Sequence, residues 1–186
     1  MKRFTLIAVI LIFPLPLLAE DTWQDDIIEI AKRFSDLAEQ QEVIEYGIDY
    51  MYPEILVATA RALNTSNGEA LQAMRSGYET ATATFEMRDH EAFVETAQFG
   101  VSGDWRWGAV PYQGTLVFRT TGDPLPLGCS WLFVFGKNGD WFFNSVRSGG
   151  TKEIVKSGLP SSLPLVIDTL WSCRGLVPVS FEQCLL

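Results

Sequence analysis

Apolar side chains recur at alternating spacings of three and four in the early part of the chain, which is the pattern of an amphipathic helix. The stripe consists of Ile27, Ile30, Phe34, Leu37, Gln41, Ile44, Ile48 and Met51, of which Gln41 alone is polar. Asp21 and Gln24 supply a capping box in front of the stripe, and Tyr52-Pro53 must end it. We expect one long helix between these two points, with Gly47 as the place where it bends.

Two more helices are predicted to follow. Pro53 stands at the first position of the second helix, 53–63, where its missing N–H removes no hydrogen bond. Ser66 and Glu69 form a capping box after a polar turn, and the apolar stripe from Leu71 to Phe85 predicts the third helix. The chain therefore begins with three consecutive helices.

After Arg88 the helical spacing gives way to alternation of apolar and polar residues, which is typical of strands. The predicted strands are 93–101, 105–110, 114–121, 129–135 and 141–147. A loop at 123–126 precedes the last two strands, and Asn138-Gly139 between them is a strong hairpin signal. Helices followed by a meander of strands predict an α+β fold, with the N-terminal helices packed on an antiparallel sheet.

The fourth predicted strand is apolar on both of its faces. Trp131, Phe133 and Phe135 share one face, and Leu132 and Val134 share the other. A strand of this kind has to be covered on both sides. The helices can cover one face, and either the apolar tail 151–186 or a second copy in a homodimer has to cover the other.

Composition and charge narrow the class of protein. Of the 186 residues, 47% are hydrophobic and 20% are charged, which excludes a disordered chain and fits one globular domain. With 14 basic and 23 acidic residues the formal charge is −9, which argues against a nucleic-acid partner. Residues 20–54 hold eleven acids against Lys32 and Arg33. This acidic helix is either a solvated outer face or a docking face for a basic partner.

The N-terminus has the layout of a secretory signal peptide. Met1-Lys2-Arg3 is basic, residues 4–18 carry no charge, and Ala19 offers a small residue for cleavage. The apolar run is shorter than the roughly 20 residues of a membrane-spanning helix. We therefore expect a signal peptide at 1–19, an α+β domain at 20–150, a C-terminal extension at 151–186 packed on that domain, and a periplasmic or secreted protein. The alternative is an uncleaved anchor.

Three cysteines fall in a chain that is expected to meet oxidising conditions. Three single bridges are open to Cys129, Cys173 and Cys184, and Cys173–Cys184 would close the shortest loop. Cys129 begins an apolar strand and fits a buried small residue. With His90 as the one histidine and no closely spaced cysteines, we expect no metal site, and no motif calls for a cofactor.

Two segments resemble the nuclear transport factor 2-like (cystatin-like, SnoaL-like) superfamily. They are the Val-Ser-Gly-Asp-Trp run at 101–105 and the aromatic hairpin with Trp131–Phe135 and the Asn-Gly-Asp-Trp turn at 138–141. The resemblance spans about residues 24–148 and implies a sheet curved into a cone around the first helix, with a pocket inside. Consecutive helices and an added tail depart from the family pattern. Members include isomerases, dehydratases and accessory domains, so the resemblance does not choose a function.

Aromatic and arginine side chains are the candidates for a ligand site. They are Tyr50, Trp107, Arg119, Trp131, Phe133, Trp141, Phe143 and Arg147. If both arginines faced a pocket, their guanidinium groups could bind a carboxylate or phosphate with paired hydrogen bonds. Core packing of the aromatic residues and solvent exposure of the arginines are the alternative interpretations.

Catalytic candidates are few. His90 stands between two acids and could act as a general base, whereas Tyr46 and Asp49 near the end of the first helix could form an enol-stabilising pair. We expect an exported non-catalytic module that binds a small apolar or anionic ligand or a protein partner. One alternative is a small pocket enzyme of isomerase or hydrolase type. The other is an immunity or assembly factor that uses the acidic helix.

Cleavage after Ala19 is a testable expectation. When the full chain is expressed in a secreting bacterium, the exported protein should begin at Glu20, because a small residue ends the leader there. Intact-mass measurement of the exported protein checks this. A mass that still includes residues 1–19 would favour the uncleaved anchor.

Overall fold

Helices flank one sheet in the residues that the structure describes. The computed structural model describes residues 22–127, 130–146 and 152–171. Four helices precede the sheet and two follow it in this part of the chain. The helices are α1 (Trp23–Glu39), α2 (Val43–Asp49), α3 (Pro53–Leu63), α4 (Asn67–Thr84), α5 (Lys152–Gly158) and α6 (Pro164–Trp171).

Six antiparallel strands form the sheet, which curls into a half-barrel. The strands are β1 (Phe85–Ala92), β2 (Gln98–Ser102), β3 (Trp105–Phe118), β4 (Pro124–Pro126), β5 (Ser130–Lys137) and β6 (Asp140–Val146). The long strand β3 pairs with β1 and β2 along one edge and with β4 and β5 along the other. β6 then extends the sheet beyond β5. The α+β prediction is confirmed.

Local signals for the hairpin and for two helices are confirmed. Asn138 and Gly139 both have positive φ, at 57° and 89°, as the tight turn between β5 and β6 requires. Ser66 caps α4, since its hydroxyl accepts the Glu69 N–H at 3.3 Å while the Glu69 carboxylate accepts the Ser66 N–H at 2.9 Å. Pro53 occupies the first turn of α3. The predicted cap of α1 is wrong, because Thr22 occupies the cap position in front of Trp23; Asp21 itself lies outside the described residues.

The prediction of a single long first helix is wrong. α1 ends at Glu39 because Gln41 adopts a left-handed conformation, with φ at 60°. The Gln41 N–H then donates to the Ala38 carbonyl and the Glu42 N–H to the Leu37 carbonyl, which is the hydrogen-bond pattern that glycine normally provides at a helix end. The chain bends there, and Gly47 lies inside the separate helix α2.

The strand boundaries also differ from those predicted from the sequence. The predicted strand 93–101 is replaced by a short 3₁₀ helix, Val94–Thr96, followed by β2. The two predicted strands 105–110 and 114–121 form the single strand β3, because its backbone stays extended through Pro111 and Gly114. The 123–126 loop contains β4, a short exposed strand on β3.

β5 is buried on both faces, and each face has its own core. The inner core lies under α1 and contains Trp23, Ile27, Ile30, Ala31, Phe34, Val110, Tyr112, Leu132, Val134 and Phe143. The outer core contains Ile55, Ala109, Trp131, Phe133, Phe135, Val155, Leu159, Leu163 and Ile167. α3, α5 and α6 supply the helical residues of the outer core. The sequence left open whether the apolar tail or a second copy covers the second face of β5. In the described residues, the tail covers that face.

Close contact between α5 and α3 depends on one glycine. A Cβ atom on Gly158 would lie 2.6 Å from the Ile55 Cα and 2.8 Å from the Glu54 carbonyl oxygen. Both neighbours are backbone atoms, which cannot rotate away. The tail therefore packs on α3 at a distance that only glycine allows.

Gly158→Ala should destabilise the fold, because the methyl group pushes α5 away from α3. We expect a loss of about 2 kcal/mol in the free energy of unfolding. Gly77→Ala is the matched control: Gly77 lies in α4, is exposed, and has no atom within 4 Å of the added methyl. Here we expect a gain of about 0.5–1 kcal/mol from helix propensity. Urea denaturation of both variants measures the difference, and equal effects would contradict the close packing of the tail.

Candidate functional site

An open groove lies between α1, α2 and the β5–β6 turn. We call it the α1–β6 groove. Its volume is about 460 Å³. Its lining residues are Asp26, Glu29, Ile30, Arg33, Tyr46, Tyr50, Gly139 and Trp141. Three elements distant in sequence therefore bring aromatic and charged side chains to one place.

Aromatic rings that pack on one another form one wall of the groove. The ring centroids of Tyr46 and Tyr50 are 4.7 Å apart, and both rings lie against Phe143, at 5.2 and 5.6 Å. Phe143 itself is buried in the inner core. Its backbone N–H donates to the Tyr50 carbonyl at 3.0 Å, which attaches the end of α2 to the edge of β6.

Trp141 forms the part of the groove nearest the hairpin turn. Its indole Nε1–H donates to the Asp26 carboxylate at 3.2 Å. The hydrogen bond fixes the ring against α1 and orients one carboxylate at the groove. Asp26 and Trp141 also line a smaller adjoining recess with Trp23 and Arg106, whose guanidinium carbon lies 5.8 Å from the Trp23 ring centroid.

Charged side chains from one side of α1 form the opposite rim. Asp26, Glu29 and Arg33 follow a spacing of three and four, so they share one face of the helix. At about 1.5 Å per residue, Arg33 lies roughly 10 Å along the axis from Asp26. The groove is therefore acidic beside Trp141 and basic at its other end. These three residues were not among those predicted from the sequence, although their spacing along the border of the apolar stripe was a signal for them.

Tyr46 is poorly suited to acid–base chemistry. Burial, with the neighbouring Tyr50 as a smaller cause, raises the pKa of its hydroxyl well above the usual range. The hydroxyl donates to the Ile30 carbonyl oxygen at 3.3 Å. It therefore stays protonated and joins α2 to α1.

Three of the predicted ligand residues lie on the opposite side of the sheet. Trp131 and Phe133 are 2% and 0% exposed in the outer core, and the partly buried Trp107 packs beside them. The hairpin register explains the division, since Phe143 pairs with Val134 and so shares the inner face. The structure thus brings Tyr50, Trp141 and Phe143 together and separates them from the other aromatic candidates.

Arg119 has a structural position. Its guanidinium donates to the Thr82 carbonyl at 2.8 Å and to the Gln41 side-chain oxygen at 2.7 Å. It therefore joins the end of α4 to the break after α1 and does not line the α1–β6 groove. Its predicted companion Arg147 lies outside the described residues, as do Cys129, Cys173 and Cys184.

His90 is buried in the inner part of the fold. It belongs to β1, and the β1–β3 register shifts between Arg88 and Glu91. The Ser35 hydroxyl donates to the His90 carbonyl oxygen at 2.9 Å, and its oxygen lies 2.9 Å from the ring Nδ1. Asp49 is exposed at the end of α2. Neither of these two catalytic candidates lines the groove.

A second cavity is smaller and apolar. Its volume is about 230 Å³, below the roughly 300 Å³ at which small-molecule sites begin. Val43, Tyr78, Phe85, Met87 and Leu116 supply most of its apolar lining. It is therefore a weaker candidate than the α1–β6 groove for anything larger than a short alkyl group.

Comparison with protein-family models, with curated proteins and with solved structures finds no match for this chain. The resemblance to the nuclear transport factor 2-like superfamily therefore stays a prediction. Within residues 22–127, 130–146 and 152–171, no helix is long and apolar enough to cross a bilayer. In the same part of the chain, no three His, Cys, Asp or Glu side chains converge as metal ligands would. The fold and the groove define an α+β protein whose curled sheet carries an aromatic and charged groove beside its last strand.

A structural role for the Ser35–His90 pair can be tested by mutation. Ser35→Ala removes a hydroxyl that contacts both the carbonyl and the ring of buried His90, so we expect a loss of about 1–3 kcal/mol of stability. Ser76→Ala, on the exposed surface of α4, should change stability by less than about 0.5 kcal/mol. Thermal or urea unfolding gives both values. An unchanged stability for Ser35→Ala would contradict the structural role.

Proposed function

We propose that this protein is an exported, non-catalytic binding module and that its ligand occupies the α1–β6 groove. The observation that carries the proposal is the convergence of Tyr50 and Trp141 with Asp26, Glu29 and Arg33 around one open groove. Ligand sites in proteins combine apolar and aromatic walls with a few charged groups that orient the ligand, and this groove has that composition. The signal peptide predicted at residues 1–19 supports export.

The side-chain chemistry of the groove favours binding over catalysis. A general acid or base has to reach the substrate in the right protonation state. Tyr46 stays protonated, and its hydroxyl donates to the Ile30 carbonyl oxygen. His90 is buried outside the groove, beside Ser35. Aromatic rings and fixed charges, in contrast, recognise a ligand without any change of protonation.

Blocking the groove tests the proposal. Glu29→Trp places a bulky ring at its rim, and Lys32→Trp places the same ring on α1 at a residue that does not line it. Both positions are exposed, so neither change should unfold the protein. We expect binders from a panel of metabolites and short peptides, screened by ligand-observed NMR, to lose affinity at least about tenfold in Glu29→Trp alone.

Two outcomes would contradict this function. Binders that are equally affected by Glu29→Trp and Lys32→Trp would place the ligand outside the groove. A panel without any binder tighter than about 1 mM would count against a binding module.

A further inference from the structure

We infer that the ligand of the α1–β6 groove is a basic polypeptide segment, which places an arginine or lysine side chain against the Trp141 ring with its charged end at the carboxylates of α1. This inference rests on the proposed function and names the partner class. It follows from the charge along α1 and α2, from the aromatic wall, and from the positions of Arg33 and Arg119.

Acidic side chains outnumber basic ones along α1, α2 and the start of α3. Between residues 22 and 54 there are nine acids against the two bases Lys32 and Arg33. They are Asp25, Asp26, Glu29, Asp36, Glu39, Glu42, Glu45, Asp49 and Glu54. Such a concentration of one sign attracts oppositely charged partners and speeds their association. Only part of it is neutralised locally, for example where Glu45 accepts two hydrogen bonds from Arg75, at 2.7 and 2.8 Å.

The groove itself suits a long cationic side chain. Trp141 and Tyr50 offer apolar ring surface to an aliphatic stem, and a cation near such a ring gains a further attraction. Asp26 and Glu29 lie at the same end, where a guanidinium or ammonium group can donate to them. One arginine or lysine side chain of the ligand can therefore contact the aromatic wall with its stem and the carboxylates of α1 with its charged end.

An anionic ligand is less well served. Among the described residues, Arg33 is the one cation that lines the groove. Arg119 is engaged by Thr82 and Gln41 and does not line the groove. Two carboxylates at the opposite end would repel a carboxylate or phosphate.

A polypeptide fits the surface better than a single small amine. The acidic residues Asp25 and Asp36 are exposed on α1 beyond the groove lining. The negative charge therefore extends over a longer surface than a single cation can contact. A segment with several basic residues would place one in the groove and others along α1. Affinity should then fall with rising salt, since exposed charges are screened.

Three matched peptides test the charge. The probes are Ac-Gly-Arg-Gly-Arg-Gly-NH2, the same peptide with citrulline for both arginines, and the same peptide with glutamate. The Trp141 indole N–H is the reporter, because it donates to Asp26 at the predicted contact. We expect the arginine peptide to shift this resonance and to bind at least about tenfold more tightly than the citrulline peptide, since hydrogen bonds between charged groups are the stronger ones.

Variants locate the contact. Asp26→Asn and Glu29→Gln keep the shape of the side chains and remove the charge, and each should weaken the arginine peptide at least about fivefold. Asp49→Asn, at an exposed acid that does not line the groove, should change affinity by less than about twofold.

The outcomes separate this inference from the function on which it rests. Equal binding of the citrulline peptide, preference for the glutamate peptide, or no shift with the arginine peptide would each overturn the basic ligand. The groove function would then be judged independently by Glu29→Trp and the panel. Methylguanidinium that binds as tightly as the arginine peptide would overturn the polypeptide partner and leave a small cation as the ligand.

Discussion

The need to bury β5 on both faces determines most of this structure. Its aromatic face and its aliphatic face are both withdrawn from water, so the sheet has to lie between two helical layers. α1 forms the inner layer, and α3 with α5 and α6 forms the outer one. The tail is therefore part of the core, and the contact between Gly158 and α3 determines how closely it packs. The hydrophobic stabilisation of the sheet depends on both layers at once.

The groove results from how the inner layer ends. α1 covers the inner face only as far as Glu39, and the left-handed residue Gln41 then redirects the chain. α2 crosses to the edge of β6, where the Tyr50 carbonyl accepts the Phe143 N–H. This contact satisfies one backbone donor on the edge of β6. The α1–β6 groove lies between α1, this end of α2 and the β5–β6 turn.

Sequence patterns predicted the features that depend on neighbouring residues. The Asn138-Gly139 turn, the Ser66–Glu69 box and the two-faced burial of β5 all follow from local spacing and residue type. The helix end at Gln41 was missed because no glycine marks it, and tertiary bonds such as that from Arg119 support it. The groove could be predicted only in part. Tyr50 and Trp141 stand out as aromatic residues, whereas Asp26 gains its role from a distant strand.

Asp26 couples the wall of the groove to its charge. The indole N–H of Trp141 donates to the Asp26 carboxylate at 3.2 Å. A carboxylate can accept several hydrogen bonds, so a cation can bind the remaining lone pairs without displacing Trp141. The same residue can therefore hold the aromatic wall and recognise a basic side chain, which is why the position beside Trp141 is the best-defined part of the groove.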